Sequence, residues 1–124
     1  VQCFGAIVMS GVRKVRYAAT DPIAGGTNLN NSSNSFIKSR KMDIKKMDKF
    51  IGEIQRVLRT DHVLRTMGEE QSERFLKSYS AEYPQAIQLG RKWFYEDKLK
   101  KAMEAEIPIS YIVNEIELDL KAFY

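Results

Sequence analysis

Apolar residues recur at steps of three and four along most of the chain after Phe36, a spacing typical of helices with one buried side. The last such stripe is apolar on one side and acidic on the other, and its members are Ile109, Ile112, Val113, Ile116, Leu120 and Phe123. An earlier stripe predicts a helix with Asp43 as its N-cap and an apolar side that faces a core. Its members are Ile44, Met47, Ile51, Ile54 and Leu58.

Glycine and proline residues divide this helical region. Gly68 is expected to end one helix, after which Phe75, Leu76 and Tyr79 lie on the buried side of the next. Pro84 opens a further helix, which should end before Pro108 because a proline ring disfavours helical geometry at the preceding residue. Residues 36–124 are therefore predicted to form a helical C-terminal region.

Residues 1–35 differ from the rest of the chain in composition and in the spacing of apolar residues. Phe4, Ile7 and Val8 fall at helical spacing, and Gly11 lies where that helix would end. Residues 14–19 alternate as in one strand, which we expect to pair with another chain or to remain an exposed edge. Residues 20–35 are rich in turn-forming side chains and predict a loop, for which a binding role and a plain surface role are both open.

The composition favours a soluble globular protein, with 44% hydrophobic and 29% charged residues in a chain of 124. The net charge is +4, but the basic residues alternate with acidic ones, which is typical of solvated helix faces rather than a nucleic-acid interface. No apolar run approaches the roughly 20 residues of a membrane span, and no secretory signal pattern is visible. We therefore expect a cytoplasmic protein with no membrane role. A single cysteine cannot form an internal disulfide.

The most specific pattern is the segment VQCFGAIVMSGVRKV, residues 1–15. It resembles a segment of the zinc-dependent cytidine, deoxycytidylate, guanine and tRNA-adenosine deaminases. That segment begins P-C-x-x-C, continues as a helix of small residues of the G-A-I type, and enters a strand through a basic pair. Asp21-Pro22 is similar to the family's strand exit. The resemblance covers only this first part of the chain and leaves the helical remainder unassigned.

The resemblance implies that Cys3 is the second cysteine of P-C-x-x-C and a zinc ligand. Two cysteines three residues apart at a helix start can direct both sulfurs at one zinc ion, and the helix N-terminus favours their thiolate charge. The other ligands and the glutamate of H-x-E are expected before Val1, so no catalytic residue is expected in this chain. The alternative interpretation of Cys3 is a small buried hydrophobe. His62 is expected to be a surface or capping residue near a helix start.

For the fold, the resemblance implies an α/β protein, a three-layer α/β/α sandwich around a mixed sheet. This chain would contribute the zinc-ligand helix, one strand and the C-terminal helices. The implied activity is hydrolytic deamination of a nucleobase, nucleoside, nucleotide or tRNA adenosine, in which zinc activates water and the glutamate moves its proton. The intact protein is expected to self-associate, and this chain by itself to be inactive. The alternative, from another class, is a noncatalytic helical interaction module formed by residues 36–124.

Overall fold

The computed structural model of the chain describes residues 2–23 and 25–122, so Val1 and Phe123 lie outside the described residues. The chain forms two compact units, Val1–Lys49 and Phe50–Tyr124. The sequence predicted a division between residues 35 and 36. The short helix and the strand that lie between residues 35 and 46 therefore belong to the first unit and not to the C-terminal helical region. Most of the described residues are helical, and the second unit contains helices throughout, while the first unit also contains a two-stranded parallel sheet.

The first unit begins with helix α1, Gln2–Ser10, followed by strand β1, Lys14–Tyr17. Both confirm the elements predicted from the sequence. Gly11 ends α1 with a φ of 79°, in the left-handed region that glycine adopts without a steric cost. Further along, the predicted loop contains a short 3₁₀ helix, Thr27–Asn31, and is followed by helix α2, Ser35–Arg40. Asn34 caps α2 by accepting hydrogen bonds from the backbone amides of residues 36 and 37.

Strand β2, Asp43–Lys46, corrects two predictions. Residues 43–47 were expected to open a helix, and only one strand was expected; instead β2 pairs in parallel with β1 within the chain, with Val15 opposite Ile44. Ile44 packs against a cluster formed by the buried side chains of Phe4, Val8 and Met42. A β-branched residue fits either a helical stripe or a strand, and here packing between distant segments decides the outcome.

The second unit consists of α3, Lys49–Ser80, which starts at the last residue of the first unit, and of α4, Pro84–Tyr95, α5, Lys98–Glu104, and α6, Ile109–Lys121. Gly68 interrupts α3 with φ 79° and ψ 169°, which confirms the predicted break. In a straight helix Val63 and Leu76 would lie about 20 Å apart. Both belong to one buried cluster with Tyr79 and Ile87, because the break lets the chain fold back.

Two helical predictions for this unit are wrong in detail. The helix from Pro84 does not run to Pro108, because Asp97 adopts a left-handed φ of 54° between α4 and α5. The apolar stripe of α3 is not the buried side, since Ile51 is 37% exposed while Glu53 and Arg56 are buried. On α6 the predicted stripe is confirmed at Ile112, Ile116 and Leu120, but Ile109 is 63% exposed.

Trp93 fixes α4 against α6. Its side chain is fully buried, and its indole Nε1 donates a hydrogen bond of 3.0 Å to the Asp119 carboxylate. The Lys98 ammonium lies 4.4 Å from the centre of the indole ring and forms an ion pair of 2.8 Å with Glu115. These contacts join α4, α5 and α6 through one aromatic side chain. Within the ranges 2–23 and 25–122, no helix has the length and apolar character needed to cross a membrane.

Candidate functional site

Cys3 lies in the first turn of α1 and its side chain is exposed. The position follows from the amphipathic pattern of the helix, because Phe4 and Val8 bury the opposite side against Met42. The interpretation of Cys3 as a buried hydrophobe is therefore wrong. No acidic side chain lies in the first turn, so the partial positive charge of the helix N-terminus is not offset there.

The described residues do not bring a metal-ligand set together. Among residues 2–23 and 25–122, no three His, Cys, Asp or Glu side chains are close enough to share a metal ion. His62 is exposed on α3, in the helix interior and not near a helix start as predicted. The surface role expected for His62 agrees with this exposure. Cys3 therefore supplies one sulfur ligand at most, whereas a catalytic zinc site takes three protein ligands.

A polar cavity of about 290 Å³ lies where β1 ends. It is lined by Tyr17 at the end of β1, Thr20 three residues later and Ile44 of β2. The rest of the wall comes from the 3₁₀ helix, through Thr27, Asn28, Asn30 and Asn31. Asn30 is fixed there because its side-chain amide donates a hydrogen bond of 3.2 Å to the Met42 carbonyl. Open α/β sheets bind ligands beyond the carboxyl ends of their parallel strands. Uncharged amide and hydroxyl groups suit a neutral polar ligand.

An apolar groove of about 460 Å³ lies on the second unit beside α5 and α6. Its floor consists of Ala102, Ala105, Ile107 and Ile112, and charged side chains of both signs form its rim. Next to it, Met103 and Ile109 are 72% and 63% exposed. Apolar side chains grouped in this way mark a surface that can be covered by another molecule.

The ionised groups of each unit include one pair with a perturbed pKa. In the first unit, the hydrogen bond from Arg16 lowers the pKa of Asp43, and Coulombic attraction to Arg16, Lys45 and Lys14 acts in the same direction. In the second unit, hydrogen bonding to Asp61 raises the pKa of Arg65. Neither pair lies in a cavity described above, so both are structural contacts.

Comparison with known proteins yields no relative: no protein-family model, curated protein or solved structure matches the chain. Sequence patterns pointed to Cys3, because the motif around it is local. They missed the polar cavity, since its lining comes from segments that only the parallel pairing of β1 and β2 brings together. The one sequence pattern that points to the cavity is the group of asparagines at residues 28–31, and such a group is equally typical of turns.

Proposed function

We propose that the chain is part of a zinc-dependent hydrolytic deaminase acting on a nucleobase, nucleoside or nucleotide, with Cys3 as one of the zinc ligands. The observation that carries the proposal is the exposed thiol of Cys3 in the first turn of α1, on a helix whose other side is packed. A metal-ligating cysteine has to leave its sulfur free, and a helix N-terminus favours the thiolate that binds zinc.

The elements that follow Cys3 support the same proposal. α1 ends at a left-handed Gly11 and leads through Arg13 and Lys14 into β1. This order of helix, turn and basic pair resembles the deaminase segment. β1 then joins a parallel strand, as a mixed α/β sheet requires. A polar cavity at the end of β1 offers neutral hydrogen-bonding groups of the kind that hold a base or a sugar.

The proposal requires partners for Cys3 that the described residues do not include. The first cysteine of the pair, the remaining ligand and the glutamate of H-x-E would come from sequence before Val1. When bound, the zinc ion would supply an activated water for attack on the base. Without that glutamate the rate would fall by about 10²–10⁴, even with metal retained.

The test is to determine the reading frame before Val1 and to express the whole protein. Zinc content would be measured by elemental analysis, and turnover with cytidine, deoxycytidylate, guanine and a tRNA anticodon stem-loop. We expect one zinc per chain and activity on one substrate class. Cys3→Ala should abolish both. Gln2→Ala, at the neighbouring exposed position of the same helix turn, should retain both and is the matched control.

A folded whole protein that binds no zinc would contradict the deaminase proposal. So would an upstream sequence without H-x-E or a second cysteine. Stoichiometric zinc or turnover in the present 124-residue chain would contradict the proposed ligand set, since the chain has one cysteine and no clustered metal ligands among its described residues.

The second candidate is a helical interaction module, and the apolar groove beside α5 and α6 favours it. A module of this kind would also account for the self-association that we expect of the intact protein. Light scattering after size exclusion would measure the mass of the wild type and of Met103→Gln combined with Ile109→Gln. A dimer that becomes a monomer in the variant supports this function. Leu118→Gln is the control, because Leu118 is about equally exposed but lines neither the groove nor the apolar surface next to it that contains Met103 and Ile109.

A further inference from the structure

The apolar groove beside α5 and α6 continues into a second hollow of about 240 Å³. Ala102, Ile107 and Ile112 line both, so the two hollows form one surface. Met103 and Ile109 line the second hollow and are 72% and 63% exposed. We call the surface formed by these five residues the α5–α6 surface. It combines an open groove with exposed apolar side chains directly beside that groove.

Main-chain hydrogen bonds fix the turn that carries this surface from α5 to α6. The amide of Glu106 donates to the carbonyl of Met103 at 3.1 Å, and the amide of Ile107 donates to the carbonyl of Ala102 at 3.0 Å. Pro108 follows, and its ring restricts φ at the point where α6 begins. A surface whose backbone is already held in place loses less conformational freedom when a partner binds. The α5–α6 surface is therefore suited to a stable interface.

Four charged side chains line the groove, two acidic and two basic. Lys98 and Glu115 neutralise each other in an ion pair of 2.8 Å. Glu96 and Lys101 are exposed, and within the ranges 2–23 and 25–122 neither forms an ion pair or a side-chain hydrogen bond. The charged groups of the groove therefore sum to zero, and among the described residues they leave one anion and one cation without a partner.

These two charges select the kind of partner. A strongly acidic or strongly basic segment would attract one of them and repel the other. The matching partner has an apolar surface flanked by one cation and one anion. A second copy of the chain has that surface by necessity, since a two-fold interface uses the same patch on both sides. When the axis runs midway between Glu96 and Lys101, each of them faces the oppositely charged residue of the other copy.

We propose that the α5–α6 surface is the interface of a two-fold homodimer, in which Glu96 of each copy pairs with Lys101 of the other. Met103 and Ile109 of each copy then pack on the apolar surface of the other, which removes their apolar area from water. The inference rests on the interaction-module function proposed above and adds the symmetry and the contact pairs. It is independent of whether the intact protein is a deaminase.

The test is charge reversal in the full chain, at about 50 mM salt, where exposed charges are weakly screened. Glu96→Lys and Lys101→Glu are made separately and together. Analytical ultracentrifugation measures the dissociation constant of the dimer, and circular dichroism verifies that each variant is folded. Lys100→Glu and Glu104→Lys are the matched controls, because they reverse exposed charges of α5 that line neither hollow.

We expect each single reversal at Glu96 or Lys101 to raise the dissociation constant about tenfold or more, because it places like charges opposite each other at both contacts. The Glu96→Lys/Lys101→Glu double variant should return to within about threefold of the wild type, since the exchange restores both pairs. An equimolar mixture of the two single variants should form a heterodimer for the same reason. The two controls should stay within about twofold of the wild type.

Dimers of unchanged affinity in both single variants would overturn the proposed pairing. If Met103→Gln/Ile109→Gln were monomeric in that case, the interaction module would stand with a different geometry. Loss of the dimer in the single variants without a heterodimer in their mixture would also overturn the proposal, since the two charges would then not meet. A wild type that stays monomeric up to about 1 mM would exclude a second copy as the partner and leave the module to another protein.

Discussion

At the scale of single residues, Asp61 and Arg65 form a two-point contact between charged side chains. The Asp61 side chain is only 8% exposed, and Arg65 donates to both of its carboxylate oxygens, at 3.2 and 3.0 Å. Arg65 also forms an ion pair of 3.5 Å with Asp97 and lies 5.2 Å over the Phe94 ring. One guanidinium group thus holds α3, the turn after α4, and a ring of α4 together.

Arg65→Ala should therefore destabilise the chain by about 2 kcal/mol, because it leaves the buried Asp61 carboxylate without its partner. Arg74→Ala is the control, since Arg74 is an exposed residue of the same helix and such changes usually stay within about 0.5 kcal/mol. Urea denaturation followed by the fluorescence of Trp93, the one tryptophan, measures both. Equal midpoints for the two variants would show that the Asp61 contact contributes little.

The contact between Arg16 and Asp43 predicts a pH dependence. Arg16 lowers the pKa of Asp43 below its usual 3.8 in the folded chain. A carboxyl group with a lowered folded pKa adds stability that is present above its unfolded pKa and is lost as the pH falls through the folded value. A carbon NMR titration of Asp43 should give a midpoint below 3.8. Arg16→Gln should return it toward that value.

Lys14→Gln is the matched control for this titration, because Lys14 contributes least among the groups that lower the pKa of Asp43. The midpoint should move less in Lys14→Gln than in Arg16→Gln. A larger movement with Lys14→Gln would mean that Coulombic attraction to the neighbouring lysines, rather than the hydrogen bond from Arg16, sets the pKa of Asp43.

At the scale of elements, α3 and α4 approach each other closely at Gly90. A Cβ atom at this position would lie 2.5 Å from the Cβ of Thr60 and 3.0 Å from the carbonyl oxygen of Val57. Both Thr60 and Val57 are fully buried, so neither has room to retreat. Glycine at this point in α4 is therefore required by the packing of two helices, in spite of its low helix propensity.

Gly90→Ala should destabilise the second unit by about 1–3 kcal/mol through overpacking, although alanine is the better helix former by about 1 kcal/mol. Gln88→Ala, two positions earlier on the exposed side of α4, should have almost no effect. Thermal unfolding of both variants distinguishes the two contributions. A stabilised Gly90→Ala would mean that the helices separate easily at this point.

Local patterns predicted the elements whose evidence lies within a few residues. α1, β1 and α6 follow from spacing and from flanking glycine and proline. β2 could not be predicted in this way, because Ile44 fits a helical stripe and a strand equally, and the decision comes from pairing with distant Val15. The same holds for the candidate site: a local motif identifies Cys3, whereas the polar cavity is formed by residues from 17 to 44.

At the scale of the whole molecule, the chain combines a unit that is largely helical with a smaller one held by a short sheet and an apolar cluster. The described residues of the segment 20–34 contribute few backbone hydrogen bonds, among them those from Gly25 to Asp21, from Leu29 to Gly26 and from Ser32 to Leu29. By contrast, the part of α3 before Gly68 is a continuous helix in which successive turns are hydrogen-bonded to each other.

Amides of residues 27–33 should therefore exchange with solvent at least tenfold faster than amides of residues 57–64, because opening one turn breaks few contacts. Hydrogen exchange read by mass spectrometry or NMR gives both rates in one sample, and α6 provides an internal reference. Equal protection of the two segments would show that the loop opens only with the core, through Leu29 and its contacts with the apolar cluster.

The parallel pairing of β1 with β2 makes the sheet the slow part of this chain to assemble. A tight hairpin cannot join parallel strands, so pairing β1 with β2 requires the closure of a loop of about 30 residues. Loop closure of this length has an entropic cost of about 3 kcal/mol. Helices that contact their neighbours along the chain form earlier, because their contacts are local. During refolding, α3 to α6 should therefore be present before Lys14–Tyr17 is paired. For that interval the strand is an open edge that another chain can capture, and dilute refolding protects it.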